Sequence, residues 1–239
     1  MKPSPRSLSI AAAIFGAIAS PAIASISIID PFSSAPDGKY PVVAGASDPV
    51  QTFGYEYQSD ILRGVRYVQL SKNFNSDPNV DGEVEFGIAV NGSSELSLVS
   101  PQGYIGDLFL FYGFVPPGPD VQAFNFTDSD AFVFDFNSII SPTGDALTVR
   151  AEVYDNFGET WSITVPVAPS SGPTQAVIPF ADFNLVDFSN IDDLVFTFTT
   201  PSGSSVSIDT VGTRLIPAPA AGCVLALAGV VSSTRRRRA

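Results

Sequence analysis

Asp107-Leu108-Phe109-Leu110-Phe111-Tyr112-Gly113-Phe114 alternates two apolar sets, Leu108, Leu110, Tyr112 and Phe114 against Phe109 and Phe111. Successive side chains of a strand point to opposite faces, so this stretch predicts a central β-strand covered on both sides. Around it the alternation is simpler. Phe132, Phe134 and Phe136 share one face of 131–136, as do Leu147, Val149, Ala151 and Val153 in 146–154 and Val84, Phe86, Ile88 and Val90 in 83–90. Further β-like runs cover 61–70, 95–99, 160–165, 174–180, 193–199 and 204–211, bounded by Gly, Pro, Asn, Asp and Ser. These one-sided faces need a shared interior. Two antiparallel sheets packed face to face supply it, so the expected fold is all-β, an antiparallel, jelly-roll-like β-sandwich forming one domain over 25–214.

Composition removes whole classes of chemistry. The chain has 239 residues, no His and one Cys, which excludes a disulfide framework, a Cys/His zinc site and any His-dependent nucleophile. All 24 acidic residues lie between Asp30 and Asp209, whereas the body from 25 to 214 holds only Lys39, Arg63, Arg66, Lys72, Arg150 and Arg214 as bases. So acidic a surface repels phosphate backbones, and nucleic acid is not an expected partner.

Both ends read as addresses. Lys2 and Arg6 precede an apolar stretch from Leu8 to Ile18, and Ala17-Ile18-Ala19 or Ala22-Ile23-Ala24 offers the small-x-small pattern of signal peptidase, with cleavage after Ala24 the favoured expectation. The expected organisation is a signal helix over 1–24, the sandwich over 25–214 and a sorting segment over 215–239. At 1.5 Å per residue, positions 218–234 make a helix of about 25 Å, slightly short of a ~30 Å hydrocarbon core. Arg235, Arg236, Arg237 and Arg238 would hold it as a stop-transfer anchor by the positive-inside rule.

Pro217-Ala218-Pro219, the short Ala/Gly/Leu/Val helix and the arginine cluster resemble the PEP-CTERM sorting signal of exosortase substrates, with Ala218 standing where that family usually has Glu. The resemblance implies recognition near Pro217 and Pro219 by an exosortase-type membrane protease and removal of the tail. The protein would then be membrane-anchored only until processing, and exported to the cell envelope, surface or exterior.

Within the body, Gly144-Asp145, Tyr154-Asp155-Asn156-Phe157-Gly158, Val177-Ile178-Pro179-Phe180, Asp187-Phe188-Ser189-Asn190 and Ser207-Ile208-Asp209-Thr210-Val211 resemble galactose-binding-like jelly rolls, including non-catalytic carbohydrate-binding modules. That resemblance implies a structural calcium ion with Asp209 among its ligands.

Candidate sites follow from residue chemistry. Asp77-Pro78-Asn79-Val80-Asp81-Gly82 opens like a calcium loop, with Asp77, Asn79 and Asp81 as oxygen donors, although Ile88 stands where the closing Glu belongs. A polar hairpin turn would use the same residues. Asp128, Asp130 and Asp209 form a second candidate calcium cluster if the strands bearing them are neighbours. No cofactor is required. For sugar binding, Trp161 alternates in phase with Ile163 and Val165 and reads as core. Tyr154 shares the polar face of its strand with Arg150 and Glu152, so Tyr154, Arg150, Asp155 and Asn156 form the candidate ligand platform. Glu83 and Glu85 lie i,i+2 on one strand, but no aromatic-rich catalytic strand accompanies them, and abundant carboxylates do not make a glycosidase pair. The expectation is an exported, non-catalytic surface or matrix protein. The alternative is a carbohydrate-binding module for extracellular polysaccharide, and the third reading a glycoside hydrolase.

Overall fold

The ten alternating runs become the last ten of thirteen strands among the described residues of the computed structural model, which are 26–33, 42–44, 50–57, 59–74, 84–88, 95–113, 123–155 and 160–215; the first three strands lie outside those runs. In chain order they are β1 (Ile26–Asp30), β2 (Val42–Ala44), β3 (Val50–Tyr57), β4 (Val65–Phe74), β5 (Val84–Ile88), β6 (Leu96–Val99) and β7 (Tyr104–Tyr112). β8 (Ala131–Ile140), β9 (Leu147–Asp155), β10 (Thr160–Val167), β11 (Thr174–Pro179), β12 (Ile191–Thr200) and β13 (Ser205–Arg214) complete the set. Every pairing is antiparallel. One sheet runs β11-β8-β13-β6-β5-β2, with β1 also paired to β13, and the other runs β10-β9-β12-β7-β4-β3. The protein is thus an all-β, two-sheet antiparallel sandwich.

The sheets are joined by interleaved aromatic rings. Phe132, Phe134 and Phe136 project from β8 and meet Phe196 and Phe198 of β12 edge-on, with centroids 5.3 Å apart for Phe132–Phe196 and 5.1 Å for Phe134–Phe196. Edge-to-face contacts of this kind add about 0.5–1.5 kcal/mol per pair beyond the area they bury. One end of the sandwich is closed by a second aromatic group, where Phe180 stacks on Phe188 at 3.9 Å and both abut Phe132. Trp161 is half-buried and packs against the core from edge strand β10, on the same side as Ile163 and Val165.

A polar staple crosses the interior. Asp30 of β1 accepts hydrogen bonds from Arg66 of β4 at 2.5 Å, Tyr112 of β7 at 2.8 Å and the Phe32 backbone N–H at 3.0 Å. Asp30, Arg66 and Tyr112 are all fully buried. Burial pushes the Asp30 carboxyl above its ordinary range, and the charge of Arg66 opposes that without cancelling it.

Two expectations need correction. β7 is central, between β12 and β4, and Leu108, Leu110 and Tyr112 are fully buried. Its other face is not covered in the same way: Ile105, Asp107, Phe109 and Phe111 are only half-buried, because the described residues form two sheets and no third layer. A second apolar set can therefore mark an accessible face as well as a buried one. The second correction concerns Asp128, Asp130 and Asp209. Arg214 pairs with Ala131, and Asp209 sits in a bulge between the Ile208↔Phe136 and Thr210↔Asp135 pairs. It lies about five residues, roughly 17 Å, along the ladder from Asp130. The three carboxylates are not brought together. Among the described residues no group of three or more His, Cys, Asp or Glu is placed to hold a metal ion.

The signal segment over 1–24 and all of the sorting segment over 215–239 except Leu215 lie outside the described residues, and so do both of their expected helices. Among the described residues no helix is long and apolar enough to cross a membrane.

Gly113 ends β7 with φ +98°, where a Cβ would collide with the Asp192 carbonyl and lie 2.6 Å from Asp193 Oδ1. Gly113→Ala is expected to destabilise the fold by about 2 kcal/mol, through a left-handed backbone and a clash with backbone. Thermal denaturation checks it, and an unchanged midpoint would contradict the close approach.

Candidate functional site

The outer face of the six-stranded sheet gathers aromatic and hydrogen-bonding side chains from four neighbouring strands. Period-two alternation turns Tyr67 and Gln69 of β4, Asp107, Phe109 and Phe111 of β7, Thr197 and Thr199 of β12, and Arg150, Glu152 and Tyr154 of β9 to this side. The ladder register then aligns them in rows. Tyr67 faces Phe111, Phe111 faces Val195, and Val195 faces Glu152. In the adjoining row Gln69 faces Phe109, Phe109 faces Thr197, and Thr197 faces Arg150. Direct cross-strand neighbours have Cβ atoms ~4.5–5.5 Å apart, so each row is continuous.

The aromatic part is a contiguous, half-buried strip. Tyr67 meets Phe111 edge-on at 5.3 Å, and Phe109 lies nearly parallel to Phe111, 24° apart in plane at 6.3 Å. Asp107 closes one end of the face, held by Asn73 Nδ2 and by Thr199 Oγ1, the latter at 2.6 Å. At the other end Arg150 pairs with Glu152 at 2.6 Å, and the Tyr154 hydroxyl donates to Glu152 at 3.0 Å. Burial first, then the hydrogen bond to Glu152 and its charge, push the Tyr154 phenol above its ordinary range, so it remains a protonated donor.

Between the aromatic strip and Arg150, Thr197 is only 7% exposed and its Oγ1 is buried with no hydrogen-bond partner. Buried hydroxyls are ordinarily satisfied, so this orphan beneath the middle of the face can take a partner once the side chains covering it shift.

The residues singled out from the sequence are distributed unevenly about this face. Tyr154 and Arg150 lie on it. Asp155 is buried on the opposite side of the strand, as alternation requires, and takes no part. Asn156, the loop residues Asp77, Asn79 and Asp81, the cleavage residues Ala22 and Ala24, and the sorting residues Pro217, Ala218, Pro219, Arg235, Arg236, Arg237 and Arg238 lie outside the described residues. Sequence reasoning missed Tyr67, Phe109, Phe111, Asp107 and Thr197. One signal was present: Asp107 alternates in phase with Phe109 and Phe111, and a carboxylate seldom shares a fully covered face with two rings.

No family model matches the sequence, and no curated protein matches it. Among solved structures, the family 11 carbohydrate-binding module of a Clostridium thermocellum cellulosomal cellulase aligns over 81% of this chain and 96% of its own, at 12% identity and TM-score 0.38. An exo-β-agarase aligns over 81% of this chain and 25% of its own, at 11% identity and TM-score 0.39. A family 28 carbohydrate-binding module specific for non-crystalline cellulose aligns over 59% of this chain and 86% of its own, at 13% identity and TM-score 0.35. Superpositions this loose carry no argument about function.

Proposed function

We propose that this protein is a non-catalytic, jelly-roll-like β-sandwich that binds neutral polysaccharide on the outer face of its six-stranded sheet. The observation that carries the reading is the aromatic strip of Tyr67, Phe109 and Phe111 set against a row of hydrogen-bonding groups that includes the orphaned Thr197 hydroxyl. A sugar ring presents apolar C–H faces and a polar rim, and it needs this combination of flat apolar surface and convergent polar groups. The charge on the face supports a neutral ligand. Among the described residues of the face, Asp107, Glu152 and Tyr154's neighbour Asp193 outnumber Arg150, which is itself paired, so an anionic polymer meets net repulsion. Asp107 and Glu152 are both engaged by donors. That orients them to accept from sugar hydroxyls on the same face.

The address-like ends support an extracellular setting for this binding. In that setting signal peptidase acts after Ala24, and an exosortase-type protease processes the Pro217–Pro219 tail after transient anchoring of the C-terminal helix. Mass spectrometry of the mature protein from its host is expected to show Ser25 as the first residue and loss of the arginine tail. An intact chain from Met1 to Ala239 in the cytosol contradicts export without touching the binding reading.

The binding reading is tested by affinity electrophoresis of the full chain in gels containing a neutral β-glucan, with alginate as the anionic comparison. Retardation by the neutral polymer alone is expected, and free migration through every neutral polysaccharide rejects the reading. Thr197→Val replaces the orphan hydroxyl with a methyl group of similar shape. It should leave the melting temperature unchanged or higher while weakening glucan binding roughly three- to tenfold, because only the bound state uses that hydroxyl.

A further inference from the structure

The strand register brings both address-like ends of the chain to one place. Ile26 of β1 pairs with Arg214 of β13, Arg214 pairs with Ala131 of β8, and Ala131 pairs with Pro179 of β11. Positions 1–25 and 216–239 thus join the body beside neighbouring strand ends, whose paired Cα atoms lie about 5 Å apart. At the same end of the sandwich, residues 180–190 carry the chain from β11 across to Ile191 of β12.

This end carries apolar surface that the fold itself does not use. Leu185, at the tip of the 180–190 crossover, is 94% exposed, while Phe183 and Phe188 on either side of it pack against the core. Leu185 is held at φ +69°, a left-handed conformation unfavourable to any residue with a Cβ. Leu215 is 56% exposed, and Ile26 and Ile28 stand exposed on β1 opposite Arg214 and Gly212.

Tether length decides what this surface meets. Between Arg214 and the apolar segment 218–234 stand only residues 215–217, which span at most about 11 Å when fully extended. A helix of about 25 Å sits within the ~30 Å hydrocarbon core, and the polar layer on each side is roughly 5–8 Å thick. Even a stretched tether therefore places Arg214 no farther out than the edge of the headgroups. The sandwich end around it is then in contact with the bilayer surface.

Charge selects the headgroup. Asp128, Asp182 and Asp187 are exposed at this end, and Arg214 is tied to Gln175 at 2.5 Å. The Ser189 hydroxyl and then its N–H hold the Asp187 carboxyl below its ordinary range, which keeps it ionised. Such a rim is repelled by anionic lipids and accepted by zwitterionic ones, whose outermost group is cationic.

We propose that this end of the sandwich is a bilayer-docking surface that rests on zwitterionic headgroups while the C-terminal segment is in place. Leu185 inserts among the headgroups, and Leu215, Ile26 and Ile28 are covered at the contact. The proposal rests on the reading of 218–234 as a membrane anchor.

The test uses the full chain reconstituted in phosphatidylcholine vesicles and reads tryptophan quenching by lipids brominated just below the headgroup. Leu185→Trp places a probe at the tail end, and Ile140→Trp places one on another exposed hydrophobic, at the opposite end of β8. Trp161, half-buried against the core, supplies a common background that is subtracted. Quenching of about twofold is expected at position 185, and none at position 140. Phosphatidylglycerol vesicles should quench the Leu185→Trp probe less. Flotation with the vesicles separates the two claims. A wild-type chain that does not float removes the anchor reading and the docking surface with it. A chain that floats while position 185 stays unquenched, or while position 140 is quenched as strongly, overturns the docking surface and leaves the anchor standing. Equal or stronger quenching in phosphatidylglycerol overturns the assignment to zwitterionic headgroups.

Discussion

Phe111→Ala is expected to weaken neutral-polysaccharide binding by about 2 kcal/mol, a roughly thirtyfold rise in Kd. The size of the effect comes from position. Phe111 touches both other rings, Tyr67 at 5.3 Å and Phe109 at 6.3 Å, and its cross-strand neighbour Val195 is 3% exposed. Truncating it splits the strip into two isolated rings and lets water reach the row of polar groups behind them. The ring is half-buried on an outer face, so the fold should lose only about 1 kcal/mol, less than for a core phenylalanine. Isothermal titration with a soluble neutral β-glucan, beside thermal denaturation, separates the two effects. Binding unchanged in a folded Phe111→Ala chain would remove the sheet face as the site.

The second large effect concerns stability. Asp30→Ala removes the carboxylate that Arg66, 0% exposed, bonds at 2.5 Å, and so takes a counter-charge away from a buried guanidinium. Such a change costs about 3–5 kcal/mol, far more than the net worth of the pair itself. In a chain of this size that corresponds to a fall of roughly 10 °C in melting temperature. The double variant Asp30→Ala/Arg66→Met should recover much of the loss, because the buried charge that lost the Asp30 carboxylate goes with the arginine. A double variant as unstable as the single one would show that the geometry of β1, and not the charge, is what the staple provides. Tyr112→Phe tests the third member. It removes one of the donors to Asp30 while keeping the ring against Phe196, and should cost about 1 kcal/mol.

The stretch that sets the fold also shows where local reading stops. From 107–112 alone, two apolar sets on alternating positions are compatible with a strand buried on both faces or with one face buried and the other an aromatic platform. Leu108 and Leu110 belong to the core either way. Phe109 and Phe111 acquire their role only because β4 brings Tyr67 and Gln69 beside them and β12 brings Thr197. These partners are separated from β7 by about forty to ninety positions in the chain, beyond any sequence period.

Periodicity and turn residues in the sequence by themselves determined β4 to β13, the antiparallel two-sheet sandwich and its phenylalanine interior, because a strand's inward face is written into every second residue, whereas β1, β2 and β3 were not among the runs it marked. The excluded chemistries were equally legible, since they follow from residues the chain does not possess. Tertiary structure alone decided which face stays open, that Asp128 and Asp130 stand apart from Asp209, that Asp30 meets Arg66, and that the Thr197 hydroxyl is left without a partner. Each of these depends on ladder register between distant strands, and a shift of one residue would turn every such side chain to the opposite face.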